Sequence, residues 1–154
     1  MGRVEERLQE LGLSVPEVAA PVAAYVPAVR DGRYVYTSGQ LPLVAGKLAG
    51  EGLVGEKVSA EQGYDLARTC ALNAIAAVKS QIGDLDKVER VVKVVGFVAS
   101  APGFTGQPAV INGASELIAA AFGEAGAHAR SAVGVAALPL GAPVEVEMIV
   151  AVAD

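Results

Sequence analysis

The chain has no tryptophan, one cysteine, one histidine and only 5% aromatic residues. A lone cysteine, Cys70, excludes an internal disulfide and fits a reducing compartment. One His and one Cys among scattered carboxylates give no metal-ligand spacing. Basic residues are also scarce: 12 Lys and Arg stand against 17 Asp and Glu, a net charge of −5. No Lys/Arg run exceeds the loose pair Arg30/Arg33, and no aromatics interleave with basic residues, so a nucleic-acid footprint is missing. Apolar runs such as Val144–Ala153 are too short to span a membrane and are broken by Glu145 and Glu147. The opening MGRVEERLQELGL is charged and amphipathic, without the apolar centre of a signal peptide. These absences lead us to expect a cytoplasmic protein with neither a membrane nor a nucleic-acid partner.

What is present is apolar: 53% of the 154 residues are hydrophobic, 19% are charged, and 18 are glycine. That supplies an ample core for one domain over residues 1–154, with residues 1–20 read as a helical N-terminal extension. So apolar a short chain commonly hides surface against other subunits, which favours an oligomer.

Val4, Leu8 and Leu11 recur at helical spacing, predicting a short helix that stops near Gly12. Pro16, Pro21 and Pro27 then favour extended structure. Val22–Val29 and Tyr34–Ser38 can pair across the Asp31-Gly32 turn, and Leu41–Gly55 reads as a glycine-rich loop or loose hairpin. Ser59-Ala-Glu-Gln62 is a capping box opening a helix to about Ile82, with Ala67, Cys70, Ala71, Ala74, Ile75 and Val78 on one face. Val88–Ala99 is a nearly continuous β-branched run, as a central strand should be. A second helix is expected from Pro108 to Phe122, then strands Arg130–Leu138 and Val144–Ala153 as a closing pair. The order β-β-α-β-α-β-β defines an α+β fold, one sheet backed by two helices.

Within that closing pair, alternation puts Arg130, Ala132 and Gly134 on one face, and Glu145 and Glu147 share a face of the next strand. A guanidinium offers a planar fork matching a carboxylate. On spacing alone the plain reading is a salt bridge from Arg130 to Glu145 or Glu147; a substrate carboxylate is the other. Cys70 reads as a core residue and His128 as an exposed loop histidine, with a proton donor at a cleft rim as its alternative. Asn73 reads as a helix polar group with a structural hydrogen bond. Ser38 lacks a triad partner, and the Gly46–Gly55 stretch lacks the setting of a phosphate loop.

Taken together, Tyr25, Thr37-Ser38-Gly39-Gln40-Leu41-Pro42, Asn73, Lys93–Phe97 with Phe104, Asn112, and the Arg130–Glu147 block resemble the Rid, or YjgF, family of enamine/imine deaminases. The resemblance covers roughly residues 21–154. It implies a chorismate-mutase-like fold assembled as a homotrimer with clefts between subunits. It also implies hydrolysis of 2-aminoacrylate-type intermediates to 2-oxo acids and ammonia without a cofactor. By the same resemblance Arg130 would hold the substrate carboxylate and Glu145 would position or activate water. Tyr25, Ser38, Gly39, Asn112 and Ala132 would shape the cleft, with Tyr25 in the first strand. The chain departs from its relatives at Ala132, where they often carry Cys, and at Ala23-Ala24, where they carry Gly-Pro. Those departures leave room for a second reading, a trimeric module binding small carboxylates or a partner without turnover; the resemblance also brings an endoribonuclease-like activity, ranked third because this acidic chain lacks a basic groove and a His pair.

Overall fold

Local signals set most element boundaries in the computed structural model, which describes residues 2–20 and 23–154. Helix α1 (Arg3–Glu10) turns Val4 and Leu8 inward. Its N-cap, Gly2, has no side chain to offer, and the Asp86 carboxylate substitutes, accepting from the N–H groups of Arg3 and Val4 at 2.8 and 3.0 Å. Those two bonds hold the Asp86 carboxyl below its ordinary pKa. Lys79 pairs with Glu5 at 2.5 Å, and Arg7 donates to the Ala121 carbonyl, so α1 is fastened to the rest of the fold at three points.

Strands β1 (Ala28–Asp31) and β2 (Tyr34–Thr37) form the expected hairpin. It begins later than sequence spacing suggested. Pro27 has no N–H to give to a ladder, and residues 23–25 bend, so Tyr25 precedes the first strand. The expected strand start at Val22 lies outside the described residues. A small hairpin, β3 (Leu43–Val44) with β4 (Lys47–Leu48), lies in the glycine-rich arm. The capping box is formed in full: Ser59 Oγ accepts from the Gln62 N–H and Gln62 Oε1 accepts from the Ser59 N–H, opening α2 (Ala60–Ile82). Strand β5 (Val88–Ala99), helix α3 (Gln107–Phe122), β6 (Ala129–Val135) and β7 (Val144–Val152) follow.

The sheet order is β1-β2-β7-β5-β6, with β5 and β6 parallel and the other neighbours antiparallel. The expected pairing of the last two strands is therefore corrected: β5 lies between β6 and β7. The α3 crossover returns the chain parallel to β5, and β7 takes the other side of β5. Helices α2 and α3 cover one face of the sheet. Into that layer project Val35, Val91, Val94, Val98, Val144, Val146, Met148, Val150 and Val152, all buried. Their burial, at roughly 25 cal/mol per Å² of apolar surface, drives the layer together. Close packing has a steric condition. A Cβ on Gly113 would lie 2.0 Å from the Tyr64 carbonyl, so only glycine lets α3 approach α2 this far. Cys70 is wholly buried in this layer, where burial and the Glu145 charge push its thiol pKa well up, and Asn73 donates to the Leu41 and Leu43 carbonyls. Both match their sequence readings.

The opposite face of the sheet is left open by this chain. Val29, Tyr34, Tyr36 and Val133 share it by register and are each about half exposed.

Candidate functional site

Register decides where the ionic residues go. Arg130 pairs with Val94, and Val94 pairs with Met148, so all three sit on the helix-covered face. Glu145 pairs with Phe97 and Glu147 with Val95, on the open face. Arg130 and Glu145 thus occupy opposite faces, two strands apart, or roughly 10 Å across the ladder. The expected Arg130 salt bridge to Glu145 or Glu147 is absent among the described residues, because β5 separates the strands and the side chains diverge.

Arg130 is instead held by α3. Its Nη1 donates to Asn112 Oδ1 at 2.8 Å and to Ser115 Oγ at 3.3 Å, and its Nη2 donates to the Pro108 carbonyl at 3.4 Å. A guanidinium has five N–H donors; Nε–H and one Nη2–H remain without a partner among the described residues. Every partner is neutral, so the positive charge is oriented but not cancelled. Ala132 lies on the same face, opposite Gly96. Because β6 is an edge strand, one row of its backbone groups stays unpaired by the sheet.

The second cluster forms around Gly39. A Cβ there would fall 1.9 Å from Glu145 Oε1, so the carboxylate rests directly on the glycine. Gly39 is held in place by its neighbours: the Gln40 N–H donates to the Val146 carbonyl and the Val146 N–H returns the bond. Ser38 Oγ donates to the Val26 carbonyl at 2.5 Å, which commits its hydrogen and leaves lone pairs free to accept. Tyr25, 44% exposed, lines a narrow cavity of about 20 Å³ with Gly39, Gln40 and Leu41. Partial burial, and secondarily the charge on Glu147, raises the pKa of Glu145; partial burial alone raises that of Glu147. A carboxylate so placed is a stronger proton acceptor than one in free water.

The predicted site residues therefore fall into two groups: Arg130, Asn112 and Ala132 in one, Glu145, Gly39, Ser38 and Tyr25 in the other. Sequence reasoning missed Ser115 and misplaced His128, which is half buried and hydrogen-bonded to Ser115 at 2.9 Å. The i, i+3 spacing of Asn112 and Ser115 was the available signal, since it puts both on one face of α3.

This sheet, its helix layer and the paired ionic clusters define a chorismate-mutase-like α+β protein. The chain belongs to the family described as "YjgF/chorismate mutase-like, putative endoribonuclease", which it matches over residues 5–151. It is 48% identical to Protein TCP17 of Trypanosoma cruzi over 152 residues, covering 97% of this chain and 94% of that one. Among solved structures it is similar to Atu1372 of Agrobacterium tumefaciens, described as of unknown function, at 49% identity and TM-score 0.92 over 97% of this chain and 92% of that one. A "putative endoribonuclease" of Shewanella oneidensis superposes at TM-score 0.95 with 33% identity, covering 98% and 100% of the two chains. At greater distance stand RidA of a Psychrobacter species (31% identity, TM-score 0.59, covering 88% and 94% of the two chains) and Escherichia coli TdcF with bound serine (27% identity, TM-score 0.63, covering 90% and 94%). The family match begins at residue 5, within α1.

Proposed function

We propose that the chain is one subunit of a homotrimer that hydrolyses small enamine and imine carboxylates, of the 2-aminoacrylate type, to 2-oxo acids and ammonia. The observation that carries this reading is the oriented, uncancelled Arg130 guanidinium with two free donors. Those donors suit a planar carboxylate. Bound serine in TdcF supports a small amino-acid-like ligand for a member of this family. The open face bearing Val29, Tyr34, Tyr36 and Val133 supports burial against further copies of the chain.

The chemistry uses both clusters. Arg130 fixes the carboxylate, and with it the imine carbon next to it. Glu145 takes a proton from water as the oxygen bonds to that carbon, giving a carbinolamine. The proton held by Glu145 passes to the amino nitrogen, the C–N bond breaks to release ammonia, and the hydroxyl gives up its proton to solvent as the 2-oxo acid forms. No electrons are gained or lost, so the step requires no redox centre. The electrophile is the iminium ion, which an enamine becomes by taking a proton from solvent at its terminal carbon and a neutral imine by taking one at nitrogen. Since Arg130 and Glu145 of one chain diverge, the cleft would pair Arg130 of one subunit with Glu145 of the next.

Two observations favour a second reading, a carboxylate-binding module without turnover: Ala132 stands where relatives often carry Cys, and Tyr25 lies on a bend before the first strand. An endoribonuclease activity ranks third, because a net charge of −5 and neutral neighbours around Arg130 give a phosphate backbone no basic stripe to follow. The test couples the purified protein to a serine or threonine dehydratase and follows 2-oxo acid release. The deaminase reading expects acceleration that disappears in Arg130→Ala; acceleration undiminished in that variant contradicts it, and binding without acceleration selects the second reading.

A further inference from the structure

Arg130 is held by more than its immediate neighbours. His128 Nδ1 lies 2.6 Å from the Gly126 carbonyl, which can only accept, so Nδ1 carries a hydrogen. In the neutral ring Nε2 is then a lone pair, 2.9 Å from Ser115 Oγ, and the serine hydroxyl must donate to it. With its hydrogen turned to the imidazole, Ser115 Oγ presents a lone pair to Arg130 Nη1 at 3.3 Å. The Gly126 carbonyl thus sets the tautomer, the tautomer sets the hydroxyl, and the hydroxyl sets one N–H of the guanidinium. The chain of bonds joins the loop before β6 to α3 and then to the strand itself.

We infer that Ser115 and His128 are positioning residues for the Arg130 carboxylate anchor, acting by turning the guanidinium so that its Nε–H and free Nη2–H face the ligand. This rests on the reading of Arg130 as the anchor. Without Ser115, Nη1 would rest on Asn112 only and Nη2 on the long 3.4 Å bond to the Pro108 carbonyl. Ser115 supplies a third point, and His128 keeps that point an acceptor. A serine without its imidazole partner could instead turn its hydrogen toward the guanidinium, losing the bond.

The test measures the affinity of the intact oligomer for pyruvate, a small 2-oxo carboxylate, alongside the thermal midpoint. Ser115→Ala and His128→Phe should each weaken pyruvate binding by about tenfold, the size expected for one hydrogen bond to a charged group. His128→Gln, whose Oε1 can accept from Ser115, should restore binding to within about threefold of the original chain. A merely structural role would lower the midpoint without this selective rescue. Unchanged binding in Ser115→Ala and His128→Phe, with binding lost in Arg130→Ala, overturns the positioning role and leaves the anchor standing. Glutamine no better than phenylalanine also overturns it. Absence of pyruvate binding to the original chain, or binding undiminished in Arg130→Ala, removes the anchor and this proposal with it.

Discussion

The two clusters of one chain differ in how they are held. The Arg130 cluster is built from groups on β6, α3 and the loop between them, and its charge is oriented by three direct acceptors, Asn112, Ser115 and the Pro108 carbonyl, with His128 bonded behind Ser115. The Glu145 cluster is built from backbone: a glycine floor at Gly39, pinned by the two bonds between Gln40 and Val146. The first arrangement fixes direction, as a binding group for a planar anion requires. The second tunes proton affinity through burial and a neighbouring charge. On the proposed function, binding and proton transfer would fall to opposite faces of one sheet.

Substitutions at the two charges should separate these roles most strongly. Arg130→Ala is expected to lower kcat/KM by roughly 100-fold, mainly through KM, because a charge-assisted bond to the carboxylate is lost. Glu145→Gln should act on kcat, by about 100-fold or more, the usual contribution of a general base. Steady-state kinetics in the coupled assay read both, and equal effects on KM and kcat in the two variants would break the comparison. Gly39→Ala comes next. The new methyl must displace the Glu145 carboxylate while leaving Arg130 untouched, so kcat should fall at least about tenfold with pyruvate affinity retained.

A smaller effect concerns pH. Burial and Glu147 raise the Glu145 pKa, so the base becomes protonated, and activity is lost, at a pH above the ordinary glutamate value of about 4.3. Glu147→Gln removes one of the two causes and should move that acid limb to lower pH. A pH–rate profile that stays in place, or moves up, would detach the limb from Glu145.

The smallest effect lies outside both clusters. Asp86→Ala removes the cap of α1 and should lower stability by about 1 kcal/mol without changing turnover. Because the folded-state pKa of Asp86 is depressed, its contribution is present above the unfolded value near 3.9 and fades as pH falls through the lower folded value. Denaturant titrations at pH 7 and pH 3 should show the difference between the variant and the original chain shrinking at the lower pH.

How much of this was legible in the sequence depends on whether the signal was local. The Ser59–Gln62 box, the end of α2 at Ile82 and the alternation of β7 are set by residues a few positions apart, and the structure follows them closely. Strand pairing is not local. β6 and β7 are neighbours in the chain, yet the parallel return through α3 puts β6 on one side of β5 and leaves the other to β7. That one error made Arg130 and Glu145 look like partners. Tyr25 was misplaced for a related reason: β-propensity in the Val22–Val29 stretch was outweighed by the missing N–H of Pro27. His128 gave no local sign of burial, because its partner Ser115 lies on α3, 13 residues earlier.

The central claim, that each cleft draws its anchor and its base from different subunits, has a direct test in mixed oligomers. Arg130→Ala and Glu145→Gln subunits, each reduced about 100-fold alone at substrate concentrations below KM, would be co-expressed in equal amounts and purified together. Random assembly gives roughly one cleft in four an intact Arg130 and an intact Glu145, so about a quarter of the original activity should return. Activity no higher than that of either variant alone would contradict the account.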